Sequence, residues 1–124
     1  MSAHRLIGLS AGIAGAVGVA TLAVGAHAFT GANLDVAGNI LLFHAAALLA
    51  LANAEGQRLR SLSALLFVAG CLMFSGDLIF KAAVARSLFP LAAPSGGVAL
   101  ILGWLVVAVG ALLSLRSPSI RQPD

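Results

Sequence analysis

VALILGWLVVAVGALLSL, residues Val98–Leu115, carries no charged side chain along its whole length. A bilayer's hydrocarbon core is about 30 Å thick and needs roughly 20 helical residues at 1.5 Å each, so this stretch is close to one crossing. Three more stretches of the same character fill most of what precedes it: Leu6–Ala26, Val36–Ala54 and Leu62–Phe80. The pattern predicts an all-α protein, a four-transmembrane-helix bundle forming a single integral membrane domain over residues 1–124. The segment Ser117–Asp124, with Pro118 and Pro123, is expected to be a disordered tail.

Composition points the same way. The chain is 60% hydrophobic and 9% charged, with a mean hydropathy of +1.06, more apolar surface than a single water-soluble domain could bury. The lipid bilayer is therefore the first partner to expect. A pI near 10.6 rests on seven basic residues against four acidic ones. The basic residues sit at span ends, without the basic stripe and interleaved aromatics that bind nucleic acid, so no nucleic-acid partner is expected.

Membrane topology accounts for the charges better. With the N-terminus inside, the inner segments hold Arg5, Arg58, Arg60, Arg116 and Arg121 and the outer ones Lys81 and Arg86. Five against two predicts that the N-terminus and C-terminus are both cytoplasmic. Ala26-His27-Ala28 resembles a signal-peptidase site, but the apolar run before it exceeds the 7–15 residues of a signal core, so it is read as a retained helix. Cys71 is the only cysteine, which excludes an intramolecular disulfide.

Small residues mark the expected packing faces. Gly8 and Gly12 have the G-x-x-x-G spacing, and Ala11, Gly15, Gly18, Leu22 and Gly25 share one narrow face at about 100° per residue. Gly96, Gly103 and Gly110 recur every seven residues and keep one face of the fourth span small. The longest connection is expected over Lys81–Gly97, with Pro90 and Pro94.

Few polar residues intrude on the spans. In the proposed topology His27, His44, Asp77 and Lys81 fall at one depth, with Ser75 beside them, and form a candidate polar cluster toward the outer leaflet. Asp77 and Lys81 stand at i, i+4, the spacing of a helical ion pair. No H-x-x-x-H or C-x-x-C pair is present, so neither a metal nor another cofactor is expected. Ser75 and Asp77 point away from each other on a helix, and no catalytic set is recognisable.

Gly25-Ala26-His27, Phe43-His44, Phe74-Ser75-Gly76, Pro94-Ser95-Gly96-Gly97 and Gly103-Trp104 occur in an order that resembles the bacterial membrane family called domain of unknown function 423, which includes eukaryotic transmembrane protein 256. The resemblance spans about Leu22 to Trp104. It implies a four-helix protein of the bacterial inner (plasma) membrane and supplies no substrate, cofactor or catalytic residue. Asp77 stands where the family commonly has a hydroxyl residue, and the chain has no tyrosine.

The residues favour a non-catalytic membrane component that acts through helix–helix contacts, as a homo-oligomer or within a larger membrane complex. The alternative is a proton-linked small-solute carrier or channel that uses the outer-leaflet polar cluster. An intramembrane enzyme is the third and least supported reading.

Overall fold

The computed structural model describes residues 2–28, 32–54 and 57–116. Among them stand four α-helices and no strand: α1 (Ala3–His27), α2 (Leu34–Ala52), α3 (Gln57–Val84) and α4 (Ala92–Arg116). All four are long and apolar enough to cross a membrane. The expected disordered tail, Ser117–Asp124, lies outside the described residues.

The helices overrun the apolar stretches. The connection expected over Lys81–Gly97 shrinks to Ala85–Leu91, because α3 continues through Lys81 to Val84 and α4 starts at Ala92. Pro94 therefore lies in the first turn of a helix. Proline is tolerated there because the N–H it lacks would have no intrahelical acceptor. Ala85 closes α3 in the left-handed conformation (φ 59°), and its N–H donates to Lys81 O at 2.9 Å, a C-terminal cap that satisfies one of the last carbonyls.

Packing follows chain order. The α1–α2 and α3–α4 hairpins are each closely packed, α2 lies against α3 to join them, and α1 touches α3 only slightly. Both hairpins depend on missing side chains. A Cβ on Gly18 would stand 3.1 Å from Gly38 O, and one on Gly38 would stand 3.0 Å from Gly18 O. In the second hairpin a Cβ on Gly70 would meet Gly96 O at 2.9 Å, and one on Gly96 would meet Gly70 O at 2.8 Å and press on Phe74 N. Close backbone approach supplies the packing that a hydrophobic driving force supplies in water.

The core runs along the seam of α2 and α3 and contains Leu41, Leu48, Phe67, Cys71 and Leu100, with Ile7 and Ala11 from α1. Polar Ser63, Ser75 and Asp77 are buried with it, while Phe43, Leu65, Leu72 and Ile101 face outward, each more than 60% exposed. Large apolar groups outside and polar groups inside suit a hydrocarbon solvent.

Candidate functional site

Of the residues expected to form one outer polar layer, Ser75, Asp77 and Lys81 follow one another toward the end of α3 and His27 ends α1, while His44 lies deeper. His44 is buried on α2 at the level of Phe67 on α3, with ring centroids 5.0 Å apart in an edge-on arrangement. Asp77 lies ten residues further along α3, or about 15 Å at the helical rise. Ser75 is fully buried, and its hydroxyl donates to Ala37 O at 3.0 Å. Ala37 is seven residues before His44, about 10 Å along α2.

Asp77 and Lys81 do not form an ion pair among the described residues. Asp77 is 2% exposed and turns to the α3–α4 connection instead, where Oδ1 accepts the Leu88 N–H at 2.7 Å. Lys81 is exposed, as is His27 at the end of α1. The α3 helix presents Asp77 inward and Lys81 outward, so the i, i+4 spacing gives proximity along the helix without contact. No group of three or more metal-ligating side chains occurs among the described residues.

His44 has its own complete environment. One ring nitrogen, Nδ1, is 2.8 Å from Ile40 O one turn earlier, and Trp104 Nε1 reaches the other, Nε2, at 3.2 Å. Indole can only donate, so Nε2 accepts, and the proton must lie on Nδ1, directed at the carbonyl. Phe67 completes the cluster, its ring centroid 5.0 Å from that of Trp104. Gly103 makes room for it: a Cβ there would stand 2.6 Å from the Phe67 ring.

The small-residue faces divide in the same concrete way. Gly96, Gly103 and Gly110 all face α3, and a Cβ on Gly110 would meet Leu59 at an ordinary 3.5 Å. On α1, Gly15 would meet Ala45 at 3.7 Å and Gly18 presses on α2, whereas a Cβ on Gly8 or Gly12 would have nothing within 4 Å.

Three contributors escaped the sequence reading. Trp104 was legible only as a resemblance, although an intramembrane indole N–H needs an acceptor and His44 is the one imidazole well inside a span. Gly38 and Gly70, the close-approach partners, lack a periodic signal of their own. The third is a cluster at the other end of the molecule. His4 Nδ1 is 2.6 Å from Ala52 O, and Arg60 Nη1 donates to Ala54 O at 2.7 Å and to His4 Nε2 at 3.1 Å. Arg60 reads as part of a polar turn in the sequence, but α3 begins at Gln57 and carries it inside, where it is 4% exposed.

A family model described as "Protein of unknown function (DUF423)" matches residues 21–97. No solved structure matches the chain.

Proposed function

The chain belongs to the DUF423 family, and from that premise we propose that it is a non-catalytic membrane component that acts through helix–helix contacts made by the free face of α1. It resides in the bacterial plasma membrane as a multi-pass protein with both termini cytoplasmic, the orientation favoured by five inner arginines against two outer cations. The partner is a second copy of the chain or a helix of a larger membrane complex.

One observation carries this reading. Gly8 and Gly12 stand one turn apart with nothing within 4 Å of either missing side chain, although every other glycine on α1 and α4 would bring its Cβ within 4 Å of a neighbouring helix. A smooth strip of this kind lets a second helix approach closely in lipid. The intramembrane polar groups support it from the other side. His44, Ser75 and Asp77 each have a hydrogen-bond partner within the fold, and the separation of His44 from Asp77 leaves the carrier reading without its shared cluster.

Gly8→Leu and Gly12→Leu, introduced separately, provide the test. Cross-linking of the full chain in native membranes should lose its higher-mass species while the melting temperature in detergent stays unchanged. Retention of those species in both variants would overturn the reading.

A further inference from the structure

Arg60 is nearly enclosed, yet only part of its guanidinium is used. Nη1 donates to Ala54 O and His4 Nε2. Nε and Nη2 are buried and have no partner among the described residues. Those two nitrogens form the side-on fork of the guanidinium, the pair of parallel N–H groups that grips two oxygens of a carboxylate or phosphate. One turn on, the hydroxyl of Ser63 is also fully buried and unpartnered. That is unusual for this chain, where Ser10 and Thr21 bond back to the carbonyl four residues earlier, the common resort of a helical hydroxyl.

Arg60 and Ser63 are among the residues that line one cavity of about 540 Å³ between the start of α3 and the end of α4, bounded also by Arg58, Val106, Val107 and Gly110, with the fork and the hydroxyl enclosed just behind its wall. The volume is that of a small-molecule site. Its charged side chains are both cationic, Arg58 and Arg60, and the first turn of α3 brings the positive end of a helix dipole to it, while the ends of α2 and α4 bring carbonyl ends. The described acidic residues lie elsewhere, Asp35 at the start of α2 and Asp77 near the end of α3. A charged fork buried with no counter-ion among the described residues is costly unless something anionic meets it.

An apolar groove of about 300 Å³ lies beside this cavity and shares Leu59 and Val106 with it. It runs from Leu59 to Leu66 on α3 and from Val109 back to Leu102 on α4, and so leads from the charged end toward the middle of the bundle. A polar head beside Arg60 with an apolar tail along α3 and α4 fits an amphiphile.

We propose that the cavity between α3 and α4 binds a phosphate oxyanion, held by the Arg60 side-on fork and the Ser63 hydroxyl, and that its source is the headgroup of an anionic phospholipid whose acyl chain follows the Leu59–Leu102 groove. The site stands independently of the α1 contact face.

The full chain in a mild non-ionic detergent would be titrated with dioleoylphosphatidylglycerol, with dioleoylphosphatidylcholine and with sodium phosphate, and followed by native mass spectrometry and by thermal unfolding. The expected result is one phosphatidylglycerol per chain, held about tenfold more tightly than phosphatidylcholine, and a loss of about tenfold in Arg60→Gln, in keeping with hydrogen bonds to a charged group. Ser63→Ala removes a hydroxyl that bonds nothing among the described residues, so the protein should fold normally and bind about threefold more weakly. Glu55 lies outside the described residues, and Glu55→Gln should leave binding intact. Saturable stabilisation by phosphate alone, lost in Arg60→Gln and Ser63→Ala, supports the oxyanion site and assigns it a soluble source. The proposal is overturned if no titrant binds, or if binding is the same in Arg60→Gln and Ser63→Ala as in the parent chain.

Discussion

Trp104 donates its indole N–H to His44 Nε2 at 3.2 Å and so joins α4 to α2, two helices whose backbones do not approach closely among the described residues. The α1–α2 and α3–α4 hairpins otherwise meet along the α2–α3 seam. The imidazole extends that seam to a third helix, with Phe67 packed against both rings. A titratable group in mid-span invites a proton-transfer role, but both nitrogens of this one are engaged inside the fold.

The His44–Trp104 pair should behave as a coupled unit. Trp104→Phe leaves the buried Nε2 without a donor, which costs about 1–3 kcal/mol, and His44→Leu leaves the half-exposed indole without its acceptor. In the double variant neither orphan remains, so its loss should fall short of the sum of the single losses by about 1 kcal/mol. Thermal unfolding of the four proteins in one detergent decides this. Strict additivity would remove the hydrogen bond from the account.

Asp77 should act on the connection between α3 and α4 and not through Lys81. Its Oδ1 accepts the Leu88 N–H and holds down a segment that leaves α3 with Ala85 at φ 59° and enters α4 with Leu91 at φ 66°. Asp77→Ala removes the acceptor and should speed hydrogen exchange at the Leu88 amide by tenfold or more, equivalent to about 1.4 kcal/mol of local stability. Asp77→Asn keeps a carbonyl oxygen and should retain most of the protection. Lys81→Ala, outside this contact, should change stability by less than about 0.5 kcal/mol. A Lys81→Ala loss equal to that of Asp77→Ala would restore the ion pair that the spacing suggested.

The architecture was legible in the residues because hydrocarbon length and the scarcity of charge are properties of single segments. Helix faces were legible for the same reason: Gly96, Gly103 and Gly110 follow one period, and all three meet α3. The grouping of polar residues was not. Equal depth along a helix says nothing about which side chain turns toward which neighbour, and a depth counted from an apolar boundary drifts when the helix starts earlier than the boundary. The α3 helix begins at Gln57 and not Leu62, which takes Arg60 into the fold and leaves His44 beside Phe67 instead of Asp77. Ala37 and Gly38, the α2 partners of Ser75 and α1, give no sequence signal, because an alanine carbonyl and a lone glycine look alike in any span.

Ser75→Ala tests the link between hairpins that Ser75 makes to Ala37 O, where a side chain bonds a backbone carbonyl on another helix at 3.0 Å. Interhelical hydrogen bonds within membranes contribute about 0.6 kcal/mol on average, because the unfolded chain in lipid also finds partners. The expected loss is therefore small, below about 1.5 kcal/mol. Since the carbonyl of Ala37 keeps its helical N–H donor, no orphaned group adds to it. Steric trapping or reversible unfolding in mixed micelles can resolve such a difference. A loss several times larger would show that Ser75 has a further role in packing α2 against α3.

Methyl groups added at two glycines should separate packing within the chain from packing between chains. At Gly96 a Cβ would meet Gly70 O at 2.8 Å, Met73 Cβ at 2.9 Å and the Phe74 N–H, all backbone or near-backbone atoms that cannot turn aside. Gly96→Ala must therefore spread α4 from α3, and overpacking of that kind costs about 1–3 kcal/mol. Gly12→Ala meets nothing within 4 Å and replaces a poor helix former by the best, which in a water-exposed helix would favour the fold by up to about 1 kcal/mol. The two variants should then move the melting temperature in opposite directions, Gly96→Ala down and Gly12→Ala level or slightly up, in detergent that keeps the chain monomeric. In a native membrane the ranking should change, because a methyl at Gly12 sits on the strip where a second helix is proposed to approach, and cross-linked species should weaken there while those of Gly96→Ala fall only with its folded fraction. If both variants lowered the monomer's melting temperature alike, the open face at Gly12 would have to be closed by a contact within the chain.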